Sequence, residues 1–92
     1  MFYAVLIVSY ESEWLVGLAD DPHAIVRAVE EYARSRGLST RVERMGDGRI
    51  IIQVCKNVEA RGRVFEVCRT VELRPIEPDN EKTIRELLEE LW

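Results

Sequence analysis

Residues 2–10 (FYAVLIVSY) are apolar at odd and even positions alike and rich in β-branched and aromatic side chains. That is the pattern of a strand covered on both faces, expected near the middle of a sheet. Residues 13–19 (EWLVGLA) fit either a strand folded back on the first across Glu11 and Ser12 or a loop carrying buried Trp14 and Leu18. The period then changes. Asp21 and Pro22 suit the cap and first position of a helix, and Gly37 suits its left-handed stop. Between them Ile25, Ala28, Val29, Tyr32 and Ala33 recur at helical spacing, a stripe expected to face the core.

Beyond the helix the period returns to two. Residues 38–45 and 49–58 read as strands joined through Gly46, Asp47 and Gly48, a cluster suited to the positive φ of a hairpin turn. Ile50, Ile52, Val54 and Val58 are apolar at even positions, and Phe65, Val67, Val71 and Leu73 at odd ones. A turn at Arg61 and Gly62 pairs residue i with 123 minus i, which brings both sets to one face. Pro75 and Pro78 end the sheet, Asp79 or Asn80 caps a second helix, and Ile84, Leu87, Leu88 and Leu91 form its stripe. The expected fold is a single α+β domain over residues 1–92. It has an antiparallel sheet of four or five strands with two helices on one face, in the order β(β)αβββα. The run strand, helix, three strands, helix is similar to that of ribosome-hibernation factors, and its helix, three strands, helix part is similar to double-stranded-RNA-binding domains. The likeness is one of element order, carried by no motif, and transfers no function.

At 92 residues, 47% of them hydrophobic, the chain has a core but a small one, so a metal, a disulfide or a second subunit is a reasonable source of added stability. Its longest apolar run, residues 1–8, is far short of the roughly 20 residues of a membrane span. It also lacks the basic start of a signal peptide, so a cytosolic protein beginning at Met1 is expected. Eleven of the thirteen basic residues are Arg, a hint of a heat-adapted source.

The net charge of −4 is unevenly spread, because residues 34–63 carry eight bases against three acids. Arg41, Arg44 and Arg49 flank one predicted turn and Arg61 and Arg63 the other, which makes them candidates for contact with an anion or a nucleic acid. No aromatic residue lies between Tyr32 and Phe65 to stack on bases.

Parts for catalysis are few. His23 is the only histidine, no phosphate-cradling glycine loop precedes a helix, and Ser9, Ser12, Ser35 and Ser39 stand in no nucleophile motif. No catalytic, cofactor or metal residue is assigned. Cys55 and Cys68 lack the close pairing of a zinc site, yet the 123 register sets them opposite each other, within reach of a bridge. Reducing cytosol favours free thiols, so both states stay open. Their face also carries Ile51 and Val64, and two helices cannot cover both sides of a sheet. A homodimer burying that region or the outer side of the first strand is expected. The chain thus reads as a small non-enzymatic interaction domain that self-associates and engages a protein partner. Binding of RNA or single-stranded nucleic acid through the basic segment is the second class.

Overall fold

The computed structural model describes residues 2–76 together with Arg85, Glu86, Leu88 and Glu89. The first apolar run forms β1 (Phe2–Val8), and the ambiguous segment after it is a strand, β2 (Glu13–Ala19), paired antiparallel to β1. Then come α1 (Pro22–Ser35), β3 (Ser39–Arg44), β4 (Ile50–Ala60) and β5 (Arg63–Ile76). The five strands make one antiparallel sheet in the order β2-β1-β5-β4-β3. The architecture is therefore α+β in the order ββαβββ, with one helix among the described residues where two were expected. The predicted second helix lies outside the described residues, those four aside.

Local chemistry accounts for the boundaries. The Asp21 carboxylate accepts from the backbone N–H groups of His23 and Ala24, Pro22 opens the helix, and Leu38 N–H returns to the Ala33 carbonyl beyond Gly37 at φ +70°. These bonds satisfy backbone groups that helix ends otherwise leave open. The β4–β5 pairing runs from Ile50 opposite Leu73 to Ala60 opposite Arg63, so every pair sums to 123. The turn between them is tight, with Arg61 and Gly62 both at positive φ, as the strand twist requires.

Because paired residues share a face and successive residues alternate, the register sorts the side chains. Tyr3, Val5, Ile50, Ile52, Val71 and Leu73 share one face with Ile25, Val26 and Val29 of α1, and Ile52 and Leu73 are fully enclosed there. Ala4, Leu6 and Ile76 form a second buried cluster on the other side, with Val8 and Leu15 packed against it. A two-sided β1 is thus explained by a core on each face. Full burial of a side chain such as Leu6 or Ile52 contributes about 1.5–3 kcal/mol.

The helical stripe is only half used. Of its residues Ala33 is buried and Ile25 and Val29 half-buried, whereas Ala28 is exposed and Tyr32 is 55% exposed; the other buried residue of the helix, Val26, lies outside the predicted stripe. Helix α1 packs over β3 and β4 and leaves part of the sheet beside it uncovered. The distal part of the β4–β5 hairpin runs past α1 as an arm, with residues 61–69 all exposed.

Candidate functional site

Three features compete for a functional role: the charged far side of the sheet with its cysteines, the helix-side groove, and the two sheet edges. On the far side Cys55 and Cys68 are directly opposite each other and joined in a disulfide, with Cα atoms 4.0 Å apart. Cys55 is buried and Cys68 exposed, so one sulfur is within reach of solvent reagents. The Glu66 carboxylate lies 3.6 Å from the Cys68 sulfur. Together the three residues put one metal-ligand atom each within 4.8 Å. The bridge commits both sulfurs, and both oxygens of Glu66 are taken up by Arg41, so the trio has no open donor.

The same side carries a ladder of alternating charge. Asp47 pairs with Arg49, Arg49 with Glu72, Glu72 with Arg74, and Arg74 with Glu13 of β2. Glu72 is the pivot. It is buried, it receives Arg49 on one carboxylate oxygen and Arg74 on the other, and so satisfies a charge that would be costly if left alone. Burial works against the charge on Arg74, but the hydrogen bond and charge of Glu72, joined by Glu13, outweigh it and raise that guanidinium above its ordinary pKa. The Arg49 backbone N–H, more than any other group, holds the Asp47 carboxyl below its ordinary value. Separately, Arg41 donates to both oxygens of Glu66.

These pairings change the standing of the basic segment. Arg41 and Arg49 already face carboxylates at 2.8 and 2.7 Å. Arg44 and Arg49 flank one end of β4, while Arg61 and Arg63 lie beyond the other. An eleven-residue strand separates the two groups by about 35 Å at roughly 3.3 Å per residue. The five arginines therefore do not converge. Ile51 and Val64 are also kept apart, since Ile51 pairs with Glu72 and Val64 with Glu59, eight steps along β4. Ile51 is half-buried between acidic neighbours, whereas Val64 is exposed on the arm. His23 is exposed at the start of α1.

The helix side is different in kind. Between the outer flank of α1 and the sheet lies a groove of about 740 Å³, lined by apolar residues including Ile7, Val29, Tyr32, Val67 and Val71 and by the cations Arg36, Lys56 and Arg69. On β3, β4 and β5 every acidic residue, Glu43, Glu59, Glu66 and Glu72, falls on the far side. The bases Arg44, Lys56, Arg63 and Arg69 fall on the helix side. No described carboxylate lies within ion-pair distance of any of these four or of Arg36. The strand parity that sorted the apolar residues also sorts Lys56 and Arg69. A reading of charge by segment overlooked that signal.

The edges differ as well. On β3 the outer strand STRVER alternates charge through Arg41, Glu43 and Arg44, a common protection against edge pairing. On β2 there is no charge after Glu13, and Trp14, Val16 and Leu18 are 68%, 58% and 55% exposed. Pairing with β1 slips by one residue at Val16, a bulge that adds this side chain to the edge. Comparison with protein-family models, curated proteins and solved structures finds no match for this chain. Among the described residues no helix is long and apolar enough to cross a membrane.

Proposed function

We propose that this chain is a small, non-enzymatic interaction domain that self-associates through the exposed edge strand β2. The observation that carries this reading is the contrast between the two edges. One is guarded by alternating charge, whereas the other presents Trp14, Val16 and Leu18 to solvent. Exposed apolar edges of this kind pair with other chains unless something blocks them. A twofold axis near Val16 would set two such edges against each other, and this self-complementary contact is the commonest kind in small oligomers. The first strand's outer side is occupied by β2, which moves the interface to β2 itself.

The test is sedimentation of the native chain beside Val16→Glu. A dimer that dissociates at least tenfold more readily in the variant supports the proposal, because two like charges then meet near the axis. A native chain that sediments as a monomer at all concentrations removes it. The nucleic-acid alternative has weaker support, since Arg41 and Arg49 are paired and the two arginine groups sit at opposite ends of β4. Absence of RNA binding at low salt, where electrostatic attraction is strongest, eliminates that alternative.

A further inference from the structure

We infer that the groove between α1 and the β4–β5 arm is a binding site for a free anionic amphiphile, a long-chain carboxylate or an alkyl phosphate monoester. This goes beyond self-association and does not depend on it. Three observations lead there. First, the helical stripe has the spacing of a core face, yet its Ala28 and Tyr32 half meets no core and lines the groove. Opposite stand Ile7, Val67 and Val71 of β1 and β5, so the groove has apolar walls on both sides. Its volume of about 740 Å³ lies within the roughly 300–1,000 Å³ typical of small-molecule sites.

Second, the charged groups lining this groove have one sign. Arg36, Lys56 and Arg69 line it and no acid does. Because Val54 pairs with Arg69 and Lys56 with Val67, Lys56 and Arg69 are diagonal neighbours on one face, about 7–8 Å apart at the backbone. Arg36 sits over the Tyr32 ring at 5.1 Å, which holds its guanidinium at the helix end of the groove. Third, these cations are unpaired with any described carboxylate, whereas Arg41, Arg49 and Arg74 on the far side are all paired. A sheet that neutralises its bases on one side and leaves them open beside an apolar groove on the other is complementary to a ligand with an apolar tail and an anionic head. The tail would lie over Ile7, Val67 and Val71 while the head meets Lys56, Arg69 and Arg36.

Octanoate, decanoate and laurate, all below their micelle concentrations, would be titrated into the full chain by calorimetry. Dodecyl phosphate, dodecyltrimethylammonium and vesicles of anionic phospholipid would be run beside them. Expected is one site per chain, with affinity rising about two- to fourfold per methylene, as apolar burial of the tail demands. Laurate and dodecyl phosphate both bind, and the cationic amphiphile binds at least tenfold more weakly. Lys56→Glu combined with Arg69→Glu lowers laurate affinity at least tenfold, and the milder Lys56→Gln with Arg69→Gln lowers it severalfold. In parallel, amide shifts of the unmodified chain with laurate should centre on Tyr32, Val67 and Val71, a readout that needs no variant to fold. Equal binding of the cationic amphiphile, indifference to both charge substitutions, or shifts centred elsewhere would overturn the inference. So would binding to vesicles without binding of monomeric laurate, which would instead mark a membrane-surface contact.

Discussion

The Cys55–Cys68 bridge closes the arm at the point where it leaves the body of the domain, so its loss should be felt both globally and locally. The two residues are 13 apart in sequence. Cross-linking a loop of about 14 residues removes conformational freedom from the unfolded chain worth about 3 kcal/mol at 25 °C. The enclosed segment forms a tight hairpin, and residual hairpin structure in the reduced, unfolded chain trims this figure, so about 2–3 kcal/mol is expected. For a domain of this size each kcal/mol moves the midpoint by about 4–8 °C, which makes the predicted fall in Tm on reduction about 8–24 °C. Urea and thermal unfolding followed by circular dichroism, with and without a phosphine reductant, measure it on one polypeptide without any substitution. Alkylation and mass measurement confirm the redox state of each sample. Hydrogen exchange adds the local half of the prediction: amides at residues 56–67 should lose more protection on reduction than those of Ile52 and Leu73, which are fully buried beneath α1. Identical midpoints in verified oxidised and reduced samples would refute the loop argument. Equal loss of protection everywhere would show that the bridge acts on the whole domain and not on the arm.

Replacing Glu72 with Ala removes the carboxylate that Arg49 and Arg74 share, while Arg49 keeps Asp47 and Arg74 keeps Glu13. Because those groups are more than a third exposed, the cost should be about 1–2 kcal/mol in urea unfolding, below the 3–5 kcal/mol of a fully buried pair; no measurable loss would show the ladder to be incidental. Arg61 holds φ +53° at the arm tip, a conformation glycine adopts freely, so Arg61→Gly should raise stability by up to about 1 kcal/mol, and a lower Tm would contradict this. The lowered pKa of Asp47 means that its pairing adds stability above the ordinary carboxylate range and loses it as pH falls through the depressed folded value. Asp47→Asn should therefore flatten the acid limb of the stability profile, and an unchanged limb would refute that role.

Strand parity, helix caps and turn residues were legible in the chain because each depends on neighbours a few residues away. Asp21, Pro22 and Gly37 bound α1 through bonds and dihedrals inside one turn. The two-residue connection at Arg61 and Gly62, with alternation on either side, was enough to set the β4–β5 register and thereby the meeting of Cys55 with Cys68. Redox state was not legible, since the same register serves thiols and a bridge equally well. Nor was the fate of an apolar stripe: Ala28 and Tyr32 have the spacing of core residues, but only the path of α1 across the sheet decides that Val26 and Ala33 are covered and they are not. The basic segment misled for a related reason. Adjacent strand residues point to opposite faces, so arginines close in sequence were divided between a side where carboxylates meet them and a side where no described carboxylate does. The long β4 then carried the two arginine groups to opposite ends of the sheet. Which edge lies open was decided last, by the placing of β2 outside β1, because edge status belongs to strand order and no strand's own sequence encodes its neighbours.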